Sequence, residues 1–328
     1  DASKLVVLPG LINGHHHFYQ TLTRAVPAAS NRALFPWLEA LYPIWANLSE
    51  TDILLSSQIA ASELLLSGCT TAVDHHYLFS EHLLNATDLQ VEAVKPLGLR
   101  SILCRGSMSL GQSQGGLPPD RVTQPEASIL KHSQLMLEAH HDPSPGAMHQ
   151  IALAPCSPFS VSKTLMRETA ALAKDFGAGL HTHLSETHDE NAFCEDLYGQ
   201  RPLDYLEEVN WLRPKTWLAH GIHFEPTELQ RLGRAGVGIT HCPSSNMILG
   251  SGICKTLELE AAGVSIGIGV DGSASNDSSN LILEARQALL LQRLKYGSER
   301  VSIHHCLDWA TRKGALAINR PELGSLEP

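Results

Sequence analysis

The sequence has no C-x-x-C pair, no basic cluster, no G-x-G-x-x-G turn after its first apolar run and no unbroken apolar run of membrane length. Seven cysteines (Cys69, Cys104, Cys156, Cys194, Cys242, Cys254 and Cys306) stand singly. An odd, scattered count fits reduced thiols of a cytoplasmic protein and excludes a disulfide frame or a zinc knuckle. The 24 Lys and Arg are dispersed among 34 Asp and Glu, for a net charge of −10. That leaves no electropositive footprint for a nucleic-acid partner and points to a small ligand. Every hydrophobic stretch is broken well before the ~18 to 20 residues that a bilayer helix needs, so no membrane partner is expected. Aromatic residues are only 5% of the chain, yet 43% is hydrophobic, enough for one large core in 328 residues.

What the chain does have is eight short runs rich in Val, Ile or Leu, at about 6–14, 69–74, 100–106, 150–156, 178–183, 216–220, 237–243 and 264–271. Segments of helical period lie between them. "SETDILLSSQIAASELLLSG" opens on a Ser-x-x-Asp start signal and closes on Gly68, and 125–141, 162–177 and 226–236 repeat apolar residues at three and four spacing. Strand and helix alternating eight times predicts an α/β fold, a (β/α)8 TIM barrel, as one domain over 1–328. The alternative, a doubly wound open sheet, lacks its glycine-rich turn after the first strand. Two long connections, 18–50 and 107–123, are expected to build or cover a pocket.

A barrel places its functional residues at the carboxyl ends of its strands. The 18 histidines make this legible. The first run ends in His15, His16 and His17, the second in Asp74, His75 and His76, the fifth in His181 and His183, the sixth in His220 and the eighth in Asp271. Side chains alternate along a strand, so His15 and His17 share one face and His16 points away. Those two imidazoles, His183 and the Asp271 carboxylate would form a nitrogen and oxygen site with room for water, suited to one catalytic divalent ion such as Zn²⁺ or Fe²⁺. His181 lies about two residues deeper and reads as a barrel-layer residue. His241 is a weaker pocket candidate, and Trp37 and Trp45 are expected to pack the first long loop, with stacking on a flat ring as the alternative.

The order His-x-His in "GLINGHHHF", His183 and Glu186 in "HTHLSET", His220 in "LAHGIHF" and Asp271 in "GIGVDGSASND" resembles the amidohydrolase superfamily, in its mononuclear deaminase branch, across essentially the whole chain. Within it, "GHHHFYQTLTRA", "LLLSGCTTAVDHHY", "LAPCSPFSVS" and "HCPSSNMILGSGI" look most like the deaminases of 8-oxoguanine. The resemblance implies hydrolytic deamination of a purine-like base, with 8-oxoguanine giving urate and ammonia. Hydroxytriazine, guanine or isocytosine-type hydrolysis is the alternative on the same site, and an inactive ligand-binding barrel is the alternative of another class.

Carried over residue by residue, the resemblance implies His15, His17, His183 and Asp271 as metal ligands, with zinc expected and iron as the alternative. Glu186 is implied as the proton shuttle, His220 as the group that orients the water, and Asp271 as a second proton relay. Gln20, three residues after His17, is implied to read the ring edge. Cys156 stands where guanine deaminase-like sequences carry an arginine, which favours an altered ring. One of His75 and His76 is expected to face the pocket, with His76 taken as the substrate contact. The bridging lysine of binuclear relatives is missing: the fourth run ends at Cys156, and Lys163 comes only in the next helix, so one metal is expected. Relatives also carry a small β-sandwich from segments flanking the barrel, which is expected to be missing from this chain. The oligomeric state stays open between monomer and homo-oligomer.

Overall fold

Eight parallel strands form where the apolar runs fall: β1 (Leu11–Asn13), β2 (Cys69–His76), β3 (Arg100–Ser107), β4 (His149–Pro155), β5 (Gly179–Leu184), β6 (Thr216–His220), β7 (Gly238–His241) and β8 (Ile266–Ile268). Each pairs with the next, and β8 returns to β1 to close a barrel with no free edge. The computed structural model describes residues 3–326. Strands covered on both faces need apolar residues at most positions, which is why these stretches read as runs rather than as alternation.

The first run is shorter than its sequence suggests. Leu5, Val6 and Val7 are 71%, 86% and 60% exposed, and the strand begins only at Leu11. Pro9 has no N–H to give a ladder, so the valines before it gain no strand partner from the barrel.

Ser49 caps α2 (Glu50–Leu66) as its sequence predicts. Its Oγ accepts from Asp52 N, and the Asp52 carboxylate accepts from Ser49 N at 2.8 Å. Gly68, with φ of +87°, then turns the chain into β2.

The segment 18–50 is mostly helical. A 3-10 turn (Phe18–Thr23) is followed by α1 (Leu34–Trp45), which contains Pro43 and buries Leu34, Trp37, Leu38 and Leu41 over the barrel mouth. The other long connection, 107–123, forms two 3-10 turns (Gln112–Gln114 and Asp120–Val122), and its Met108 and Val122 pack behind the pocket wall. Among the described residues no helix is long and apolar enough to cross a membrane.

Candidate active site

Beyond Asn13 the chain stays extended between its neighbours: Gly14 N donates to Ile268 O at 2.9 Å, His75 N to His16 O at 2.7 Å and Asp271 N to His15 O at 3.1 Å. Side-chain alternation therefore continues past the strand's formal end. His15 Nε2 and His17 Nε2 each lie 3.3 Å from Asp271 Oδ1, while His16 Nε2 turns away to Ser279 Oγ at 2.9 Å. His183 brings its Nε2 to 3.1 Å from that of His17. Asp271 and His220 both have left-handed backbones, φ +61° and +72°, a conformation that side chains other than Gly seldom adopt. Such turns at two strand ends are strain held where the chemistry is.

Hydrogen bonds fix which ring nitrogens carry protons. His17 Nδ1 lies 2.6 Å from His75 O, and His183 Nδ1 2.7 Å from Cys156 O. A carbonyl only accepts, so both Nδ1 atoms donate and both Nε2 atoms present lone pairs. His181 Nδ1 donates to Trp217 O at 2.9 Å, leaving its Nε2 to accept from His15 Nδ1 at 2.7 Å. The third lone pair is thus on His15 Nε2, which is buried with no hydrogen-bond partner. Facing lone pairs at 3.1 Å repel unless a cation sits among them. Separations of 3.1 to 3.3 Å fit a tetrahedral ion with bonds of ~2.0 to 2.1 Å, whose ligand atoms lie about 3.3 Å apart. Burial also holds His15 and His183 well below the usual histidine range, which keeps them in the neutral, ligating form. The residues present therefore fit a divalent ion.

A second group adjoins the first. Glu186 Oε2 is 3.4 Å from His220 Nε2, and its Oε1 accepts from Ser251 Oγ at 3.2 Å. Burial, reinforced by the negative charges of Asp271 and Glu190, pushes the Glu186 carboxyl well above the usual range. Asn246 Nδ2 donates to His220 Nδ1 at 3.0 Å, so that ring's proton sits on Nε2, toward Glu186 and toward Asp271 Oδ2 at 3.9 Å. Burial lowers His220 to about 4, making it a neutral donor near pH 7. Asp271 Oδ2 accepts from Ser245 Oγ at 2.6 Å.

A narrow pocket opens beside these groups. Its polar side holds His17, His183, Glu186, His220, Asp271 and Gln20; its apolar side is Leu34, Trp37 and Leu38 of α1 with Tyr77, Phe159 and Leu249. Cys156 lies on the same wall. Gln20 Oε1 is buried without a partner, and a Cβ on Gly272 would stand 1.8 Å from it, so glycine there makes room for the amide. Trp37, expected to pack its loop with stacking on a flat ring as the alternative, lines the pocket; Trp45 packs, donating to Thr23 Oγ1 at 3.1 Å.

His76 needs correction as a substrate contact. Its ring lies between Tyr19 and Phe79, with Nε2 donating to Leu78 O at 2.7 Å, and it does not line the pocket. Strand parity turns it away from the barrel axis and leaves His75 inward, stacked on His183 at 4.8 Å. His241 faces Gln292 at 3.2 Å, outside the pocket.

The sequence pattern that defines the amidohydrolase family matches residues 6–328. The chain is 58% identical over 328 residues to an 8-oxoguanine deaminase of Pseudomonas aeruginosa, covering all of this chain and 73% of that protein. The chain belongs to the amidohydrolase family. A hydroxydechloroatrazine ethylaminohydrolase of a Pseudomonas species is 38% identical, covering 98% of this amidohydrolase and 68% of that relative. Among solved structures, the atrazine chlorohydrolase TrzN of Arthrobacter aurescens complexed with zinc superposes with a TM-score of 0.93 at 33% identity, over 98% of this chain and 73% of that one.

Three residues of this amidohydrolase carry site geometry that sequence reasoning missed: Ser245, Asn246 and Ser251. For His181, expected as a barrel-layer residue, only the bond to His15 was unforeseen, because it links residues 166 apart and leaves no local signal. Replacing His181 with Phe keeps a ring against Trp217, on which His181 stacks at 4.7 Å, while freeing His15 Nδ1. Loss of such an orienting partner is expected to weaken metal affinity about 10- to 100-fold. Competition with a chelator of known affinity measures it, and unchanged affinity would remove His181 from that role.

Proposed function

We propose that this amidohydrolase deaminates 8-oxoguanine, giving urate and ammonia, with one zinc ion held by His15, His17, His183 and Asp271. The observation that carries the substrate is the 58% identity over all 328 residues to the 8-oxoguanine deaminase. Supporting it, the pocket offers a partnerless amide oxygen from Gln20, able to accept from a ring N–H, and a small Cys156 where a charged side chain would demand a different ring. Trp37 and Phe159 supply flat apolar walls for a heterocycle.

A divalent ion held by His15, His17, His183 and Asp271 would supply activation of water, lowering its pKa from about 15.7 toward ~7. Glu186, buried and unusually basic for a carboxylate, takes a proton from the attacking water and delivers it to a ring nitrogen. His220 donates a hydrogen bond from its Nε2–H, keeping the proton, to the developing oxygen on the carbon under attack. Asp271, held through its Oδ2 by Ser245, passes the second proton to the departing amine, which leaves as ammonia. The barrel acts as one catalytic domain, and its seven free, buried cysteines agree with a reducing, cytoplasmic setting.

The test is ammonia release by the full-length, zinc-loaded protein from 8-oxoguanine, guanine, isocytosine, isoxanthopterin, adenosine and hydroxyatrazine. The first is expected to give the highest kcat/KM. Silence on 8-oxoguanine beside clear turnover of another member would replace the substrate and leave the reaction class standing.

A further inference from the structure

Glu190 is a fully buried carboxylate for which the reaction above has no use. It occupies the third position of the helix His188–Tyr198, whose N-cap Thr187 accepts from Glu190 N at 3.3 Å. In a capping box an acid here turns back to the N–H of the cap residue itself. Glu190 reaches further along the chain. Its Oε1 accepts from Ser185 N at 2.8 Å and its Oε2 from Glu186 N at 3.0 Å. Ser185 has a left-handed backbone, φ +53°, and its carbonyl accepts from Ile222 N at 2.9 Å and His223 N at 3.0 Å. Of the three residues linking β5 to the helix, Ser185 and Glu186 are thus tied to Glu190, and Ser185 is tied also to the loop after β6.

We propose that Glu190 is a positioning residue for the acid–base carboxylate, its two-pronged grip on the peptides of Ser185 and Glu186 fixing the direction in which the Glu186 side chain enters the pocket. This rests on the reading of Glu186 as the proton shuttle. Among the described residues Glu190 has no cationic partner, so the two N–H groups and the first turn of the helix supply its stabilisation. The grip in turn satisfies two buried backbone donors and holds Ser185 in a conformation it would otherwise leave. Among the described residues the tip of Glu186 has only Ser251 at 3.2 Å and His220 at 3.4 Å, so its aim is set mainly from its main chain. A shift of about 1 Å at a reacting group lowers rate on the order of 100-fold.

The test uses full-length, metal-loaded protein and its best substrate. Glu190→Gln preserves size but presents an amide nitrogen to one of the two N–H groups, breaking that bond. The expected result is a kcat lower by about 10- to 100-fold, KM within about threefold of the parent, and unchanged metal content. A folded, metal-replete variant that keeps its kcat, or whose loss lies in KM, overturns the proposal. Should Glu190→Gln fail to fold, Glu190→Asp, one methylene short of the same grip, is read by the same criteria. Glu186→Gln, run in parallel, separates the two readings. If it retains turnover, the shuttle assignment falls and this inference with it; if it is inactive while Glu190→Gln is normal, only the positioning role falls.

Discussion

Glu186→Gln is expected to lower kcat by about 10³-fold while leaving the bound metal in place. General acid–base groups contribute on the order of 10² to 10⁴ in rate, so 10³ corresponds to about 4 kcal/mol of transition-state stabilisation. The amide has nearly the shape of the carboxylate and can still accept from Ser251 Oγ, but it cannot take up a proton. The proposed ligands come from other residues, and the pocket walls are unaltered, so KM and metal content report an intact site. Ammonia release under saturating substrate gives the number. Near-parental turnover would remove Glu186 from proton transfer.

Stripping the metal is the second large effect. Turnover is expected to be lost and the unfolding midpoint to drop by roughly 5 °C, because an ion present at 100 times its Kd contributes about 2.7 kcal/mol to folding. The direction follows from the ring nitrogens. Without a cation, His17 Nε2 and His183 Nε2 face each other at 3.1 Å as acceptors, and His15 Nε2 is left buried without a partner. Readdition of zinc is expected to restore both activity and midpoint. Full turnover from protein stripped below about a tenth of an ion per chain, with an unshifted midpoint, would contradict the proposed role of the site.

The positions most open to sequence reasoning were those governed by a short period and by barrel geometry. His15 and His17 converge because side chains alternate, and His183, His220 and Asp271 join them because parallel strands present their carboxyl ends at one mouth. Where no period operates, legibility failed. Ser245, Asn246 and Ser251 lie in and just beyond a six-residue helix, Pro243–Ile248, and nothing in their spacing marks them as holding Asp271, His220 and Glu186. Helix α1 lies within 18–50, expected as a long connection; Pro43, which removes a backbone donor, is accommodated inside it. The outer part of the first run was misjudged for the opposite reason: Val6 and Val7 favour a strand, but propensity does not create a partner. His76 was misplaced because the second strand's register relative to its neighbours, which decides which of two adjacent histidines faces inward, is a property of the closed barrel.

Leu249 lies in the same short segment as Ser245, Asn246 and Ser251, and it also forms part of the apolar wall that a ring would touch. The wall that meets a ring and the partners of Asp271, His220 and Glu186 thus share one stretch of backbone. A ring that pushed Leu249 outward would displace the partners of the three groups proposed to handle protons. Discrimination between similar heterocycles then falls on turnover more than on binding: a poorly shaped ring can occupy the pocket and still find the acid–base groups out of line.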